Sequence, residues 1–180
     1  MHWKILKSKK VLENDFFQVT EEVCEKPDGH IVEEYYTIHR NDAAIIAAFT
    51  EKMDLILIKQ YRHPVQAVDL ELPAGYINED ESDISLAAAR ELLEETGYAS
   101  EKLVKLSENY ASAGLMNNKV HFFIGLNAKK VQEQNLDPNE SIEVHLTPWA
   151  EVEGLLKAGK IKDLGSSAGI LLAKNYLEKL

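Results

Sequence analysis

The sequence predicts an α+β fold in which a few helices pack on a mixed β-sheet, with a small antiparallel β subdomain at the N-terminus. Two observations point there. From residue 3 to about 39, strand-like segments follow one another with turn signals between them and no helical period. Further on, strands precede or bracket a small number of helices instead of alternating with them, which favours this architecture over a doubly wound parallel sheet.

The elements follow in order. KILKSKKVL, FFQVTEEVCEK and IVEEYYTIH are rich in β-branched and aromatic residues, and Pro27-Asp28-Gly29 makes a turn before the third. Residues 1–40 are therefore expected as the N-terminal β subdomain and 41–180 as the main domain. Residues 43–50 (AAIIAAFT) and 54–59 (DLILIK) are apolar runs separated by Glu51-Lys52-Met53, as in a hairpin of two buried strands. A loop through His63-Pro64 follows Arg62, and Asp69 to Gly75 reads as extended up to a Pro/Gly break. Ser82 or Asp83 can cap a helix that runs to Thr96, where Gly97 supplies a left-handed stop. Strands are expected at about 101–109, 119–126 and 141–147. A helix with Pro148 at its first position should run to about Lys157, and a last amphipathic helix should cover about 167–178.

Composition narrows the function classes. With 45% hydrophobic and 28% charged residues, and few glycines and prolines, the chain can bury a sizeable core. No unbroken apolar stretch has the length of a signal peptide or nears the roughly 20 residues of a membrane span, so a cytoplasmic location without a membrane partner is expected. Cys24 is the only cysteine, which removes intrachain disulfides and cysteine-rich zinc sites, and no H-E-x-x-H pair occurs among the histidines. A formal net charge of -10 argues against a nucleic-acid partner, whose phosphates call for many lysines and arginines. Gly165-Ser166-Ser167-Ala168-Gly169 has the form of a nucleophile elbow, but no histidine follows it to complete a triad. The stretch reads instead as a helix start capped by serine.

The chemical centre of the sequence is AAARELLEETGY, residues 87–98. On a helical wheel Leu86, Ala89, Leu92, Leu93 and Thr96 form the expected core face. Glu91, Glu94 and Glu95 gather on the other side with Ile84, Ala87 and Ala88, the alanines leaving space beside the carboxylates. A solvated acidic face is the ordinary explanation of such a run, and two features weigh against it. Like charges at i,i+3 and i,i+4 repel one another, and two of the three glutamates sit in the last turn, where the helix dipole disfavours anions. A divalent cation answers both, and oxygen-only ligands point to Mg²⁺ or Mn²⁺.

Gly75, Glu81 and Arg90-Glu91-Leu92-Leu93-Glu94-Glu95-Thr96-Gly97-Tyr98 resemble the Nudix box, G-x5-E-x7-R-E-U-x-E-E-x-G-U, where U is apolar. The second half matches at each fixed position, with Tyr98 in the last apolar slot. In the first half the spacing from Gly75 to Glu81 is kept, but eight residues rather than seven separate Glu81 from Arg90, an extra residue in the loop around 80–83. Lys59-Gln60-Tyr61-Arg62 followed by Leu70-Glu71-Leu72-Pro73-Ala74-Gly75 is similar to the segment before the box in ADP-ribose and nucleoside diphosphate sugar pyrophosphatases. Tyr110-Ala111-Ser112-Ala113-Gly114-Leu115 resembles that subfamily's S-P-G element with alanine for proline, and Glu140-Ser141-Ile142-Glu143-Val144 resembles its late acidic loop.

The resemblance implies a Nudix α/β/α sandwich with a mixed β-sheet. It also implies an N-terminal subdomain that forms a homodimer and adds substrate contacts. The implied reaction is metal-dependent hydrolysis of the pyrophosphate bond of a nucleoside diphosphate sugar. ADP-ribose leads and GDP-mannose is a close second, because Ala113 replaces the subfamily's proline. Glu91 and Glu95, one helical turn apart, are the expected ligands of two or more Mg²⁺ or Mn²⁺ ions; Glu94 completes the cluster and, by resemblance, the backbone carbonyl of Ala74 joins it. Arg90 can pair with Glu94 at i+4 and orient a ligand, or contact phosphate directly. The resemblance places Glu140 on a mobile loop facing the metals as general base, with Glu143 the nearest competitor. Arg62 suits bidentate phosphate recognition or a surface salt bridge. Glu71 is open to substrate, metal or solvent, and Ser112 and Gly114 are expected substrate contacts. Two alternatives stand beside this reading. A non-catalytic nucleotide sensor would typically lack box glutamates that are all present here, and a hydrolase of dinucleoside polyphosphates fits the flanking motifs less well.

Overall fold

Strands β1 (Lys4–Glu13), β2 (Gln18–Glu25) and β3 (Ile31–His39) form an antiparallel sheet in that order in the computed structural model, which describes residues 1–180. Asp28 and Gly29 close the turn between β2 and β3: the Asp28 carboxylate accepts the amide of His30, and Gly29 takes a φ of 82° that a side chain would resist. These strands belong to one of two structural units, Met1–Asp42 with Asn109–Lys119; the other is Ala43–Glu108 with Val120–Leu180. The returning segment of the first unit is tied to β3 by backbone bonds from Ile38 N to Leu115 O and from Asn117 N to Ile38 O.

The larger sheet is built on β4 (Ala43–Thr50), β5 (Asp54–Arg62), β6 (Ala67–Glu71), β7 (Ala74–Tyr76), β8 (Tyr98–Ala99), β9 (Leu103–Tyr110), β10 (Lys119–Lys130) and β11 (Ile142–Pro148), which fall in the second unit except for the end of β9 after Glu108 and the first residue of β10. The sheet order is β11-β5-β4-β10-β8, with β6 on β5, β7 on β4 and β9 on β10. β4 and β10 run parallel and β4 and β5 antiparallel, so the sheet is mixed. Three helices cover it: α1 (Ile84–Thr96), α2 (Trp149–Lys157) and α3 (Leu164–Leu177). Alternation along β4 sorts the core into two layers. Ile45, Ala47 and Phe49 pack with Phe122, Val152, Ile170 and Ala173 on the side of α2 and α3. Ala44, Ile46 and Ala48 pack with Phe123, Ala88 and Leu92 on the side of α1. This is an α/β/α sandwich. No helix is long and apolar enough to cross a membrane.

The structure corrects three local expectations. Leu86, placed on the core face of α1 by the wheel, is 68% exposed, while Ala87 and Ala88 are fully buried. The facing strand presents Ala44, Ile46 and Ala48, and small residues on both sides let helix and sheet approach closely, which turns the alanines inward and carries Glu95 and Thr96 in with them. Pro148 ends β11 with extended backbone (ψ 131°) and stands at the cap of α2 instead of inside its first turn. α3 begins at Leu164 and is capped by the Asp163 carboxylate, which accepts the amide of Ser166; the serine is not the cap. The start of α1 is as read, with Asp83 accepting the amides of Ser85 and Leu86, and Gly97 ends it at φ 75°. A single 3₁₀ turn covers His63–Val65 in the loop after Arg62.

Candidate active site

The site is assembled where the chain changes strand partner. β6 pairs with β5 as far as Glu71, opposite Ile58, and β7 pairs with β4 from Ala74, opposite Ile45. The step between them delivers Ala74 and Gly75 to the side of α1. There the amide of Ala74 donates to Glu95 Oε2 at 2.8 Å. A Cβ added to Gly75 would lie 2.1 Å from Cδ of Glu91 and 2.2 Å from its Oε2, so the missing side chain of the glycine is the space that the Glu91 carboxylate fills. Any side chain here would have to push that carboxylate aside.

Electrostatics set these two carboxylates apart from the rest. Glu95 is only 3% exposed. Burial, with the charges of Glu91 and Glu140 adding to it, pushes its carboxyl up to about 8 against the stabilising Ala74 amide. Burial also raises Glu91, opposed by the neighbouring Arg90 and assisted by the charges of Glu94 and Glu140. Two acidic groups are thus held in a setting that penalises their own negative charge. No three acidic, histidine or cysteine side chains close into one ligand set. The donor chemistry nonetheless fits a hard divalent cation: carboxylate oxygens, desolvated and mutually repelling, beside a cradle that a single methyl group would fill.

Arg90 harnesses the acidic helix. Its Nε and Nη2 donate to the two carboxylate oxygens of Glu81 at 2.7 and 2.9 Å, and its Nη1 donates to Glu94 at 2.8 Å and lies 2.8 Å from Glu91 Oε1. Nη2 also reaches the carbonyl of Tyr76 at 3.2 Å. The Glu81 hydrogen bonds raise the guanidinium pKa above its ordinary value, and the same contact lowers the Glu81 carboxyl. Glu81, a residue to which sequence reading attached no role, is therefore the fork that fixes Arg90, and the extra residue before α1 does not displace it. Its signal was the preserved Gly75 to Glu81 spacing.

Arg62 and Glu71 form a second pair across the β5–β6 hairpin. Glu71 is 4% exposed, so the solvent-facing option for it does not hold: both oxygens accept from Arg62 Nε, at 2.9 and 3.1 Å, and Nη2 donates to Oε2. Glu71 also raises the Arg62 pKa. Nη1 is left over, and Arg62, Glu71 and Tyr76 line an open cavity of about 630 Å³ with Val68 and Lys162.

Glu140 lies in the loop before β11, its carboxylate accepting the amide of Asp137 at 3.1 Å, and its charge reaches both Glu91 and Glu95. Glu143 stands on β11 with its side chain largely exposed, 2.9 Å from His145 Nε2. Glu94 is turned to Arg90 on the outer side of α1. Ser112 and Gly114 lie in the first unit, where the Ser112 carbonyl accepts the amides of Leu115 and Met116 and the Gly114 carbonyl accepts the Tyr35 hydroxyl at 3.1 Å.

Comparison with known proteins gives the family and the fold. The NUDIX domain model matches residues 39–166, and that of the nucleoside diphosphate sugar hydrolase N-terminal domain matches residues 3–38. The chain is 27% identical to an ADP-ribose pyrophosphatase of Bacillus subtilis (strain 168), over 93% of this chain and 90% of the relative. It is 28% identical to a GDP-mannose pyrophosphatase of Escherichia coli (strain K12), over 94% and 92%. A crystal structure of an ADP compounds hydrolase superposes with a TM-score of 0.88 at 21% identity, covering 99% of this chain and 96% of that one, and so shares the fold.

Proposed function

Since the chain belongs to the Nudix family, whose domain spans residues 39–166, we propose that it hydrolyses the pyrophosphate bond of nucleoside diphosphate sugars, ADP-ribose first among them. The observation that carries this reading is the pair of buried carboxylates, Glu91 and Glu95, set against the Ala74–Gly75 strand end. The relatives named for ADP-ribose and GDP-mannose support the substrate class.

Two adjacent phosphates repel a water nucleophile. When bound, divalent ions, two or more of Mg²⁺ or Mn²⁺, offset that charge and acidify a water. Glu91 and Glu95 would hold them, with the Ala74 carbonyl as a further oxygen donor and Glu94 completing the acidic rim. Arg90, clamped by Glu81, keeps Glu91 and Glu94 oriented. Arg62, held by Glu71, offers its remaining Nη1 to a phosphate oxygen. Glu140 takes the proton of the attacking water, a role its loop position and its influence on both buried carboxylates suit. With ADP-ribose the products are AMP and ribose 5-phosphate. The N-terminal strands supply the homodimer contact: every residue of β1 is exposed, including Ile5, Leu6, Val11 and Leu12.

The test is kcat/KM for ADP-ribose, GDP-mannose and other nucleoside diphosphate sugars with Mg²⁺ or Mn²⁺. ADP-ribose should rank first; turnover confined to dinucleoside polyphosphates would overturn the substrate reading.

A further inference from the structure

Gly165-Ser166-Ser167-Ala168-Gly169 has no place in the chemistry above, yet Ser166 is one of the most buried polar residues of the chain, 1% exposed. Its amide is spent on the Asp163 cap, and its hydroxyl accepts the amide N–H of Leu72 at 2.9 Å, 94 residues away in sequence. Leu72 and Pro73 are the two residues over which the chain leaves β5 and joins β4. Pro73 has no N–H, and its carbonyl accepts from Ile46 N at 2.9 Å. The buried amide of Leu72 therefore meets no strand neighbour in this step, and a buried amide needs an acceptor. Ser166 supplies it.

Both halves of the active site hang from this step. Immediately before it stands Glu71, which holds Arg62; immediately after it stand Ala74, whose amide holds Glu95, and Gly75, which makes room for Glu91. The two glycines of the stretch let α3 come down on it. A Cβ on Gly169 would lie 2.7 Å from Leu72 Cδ1, and one on Gly165 would lie 2.5 Å from Ile45 Cδ1.

We propose that Ser166 is a positioning residue for the active site: by holding the Leu72 amide it fixes the strand step from which Arg62–Glu71 and Glu91–Glu95 take their places. The inference rests on the reading of Glu91 and Glu95 as metal ligands. Ser166→Ala removes the acceptor alone. Mn²⁺ by itself is titrated into chelator-stripped protein and the free ion counted by electron paramagnetic resonance, with no substrate present. Ser166→Ala should bind Mn²⁺ about tenfold more weakly, in the range seen when groups that orient metal ligands are lost, and kcat/KM on ADP-ribose should fall at least as far. Ser167→Ala, in the same turn, should leave Mn²⁺ binding unchanged. If Ser166→Ala does not fold, Gly169→Ala, which presses on Leu72 from the same helix, is read by the same titration and should weaken Mn²⁺ likewise. Unchanged Mn²⁺ affinity in either folded variant, with only the melting temperature lowered, makes Ser166 a structural tie and overturns the proposal. Failure of the wild type to hydrolyse ADP-ribose counts against the proposed function and not against Ser166, since the Mn²⁺ arm uses no substrate.

Discussion

Gly75 and Glu91 occupy complementary space: the carboxylate of the one stands where the side chain of the other would begin, 2.1 Å from an added Cβ. The colliding atoms are the far end of a flexible side chain, so Gly75→Ala should be tolerated by the fold and not by the site. We expect native circular dichroism, a melting temperature within a few degrees of wild type, and kcat lowered by about 10- to 100-fold as Glu91 is pushed aside. A variant with wild-type kcat would show that Glu91 need not lie in this cradle.

Arg90 is the point at which three glutamates meet, and lysine cannot reproduce its fork. Arg90→Lys should lower kcat/KM by an order of magnitude or so, and Glu81→Gln should lower it less, because a neutral amide still accepts a hydrogen bond from the guanidinium. Steady-state kinetics on the two variants checks the order; equal and negligible losses would remove Arg90 from the site.

Glu95 makes the stability of the metal-free protein depend on pH. Its folded carboxyl, at about 8, lies above the ordinary 4.5, so the folded state binds the proton more tightly than the unfolded chain. The stabilisation is complete below about 4.5 and is lost as pH rises through about 8. Burial acts in the same direction on Glu91. Thermal melts in chelator should therefore show the melting temperature falling between pH 5 and pH 8, and Glu95→Gln should flatten the fall; an identical slope in the variant would assign the effect elsewhere.

Arg62→Ala should have two separable effects. It removes the free Nη1, raising KM for the substrate, and it strands the buried Glu71 carboxylate. The second effect should cost stability on the order of 2 kcal/mol, below the figure for a fully buried pair because the Arg62 side chain is 42% exposed. In Arg62→Met combined with Glu71→Leu the stability should return and the KM should not. Urea unfolding and kinetics on the pair of variants decide it.

Much of this was legible in the sequence because the signals are local. The capping Asp83, the stop at Gly97 and the apolar run of β4 depend on neighbours in the chain, and the acidic cluster of α1 announced its own electrostatic difficulty. What escaped reading depends on partners far away in sequence. A wheel ranks Leu86 above Ala87 and Ala88 for burial, but the alanines of β4 set how near the helix comes and so which face is inside. Glu71 reads as open to substrate, metal or solvent until the hairpin brings Arg62 over it. Ser166 reads as a helix cap until the bare amide of Leu72 is seen to need it.

The central claim is that Glu91 and Glu95 hold the divalent ions on which hydrolysis depends. Its most direct test is ADP-ribose turnover by wild type and Glu95→Gln, each stripped with chelator and then titrated with Mg²⁺ or Mn²⁺. The stripped wild type should be inactive and recover with metal, while Glu95→Gln, folded by circular dichroism, should stay at least about 100-fold below it at saturating metal. Turnover indifferent to chelator, or a Glu95→Gln variant with near-normal kcat, would contradict the account.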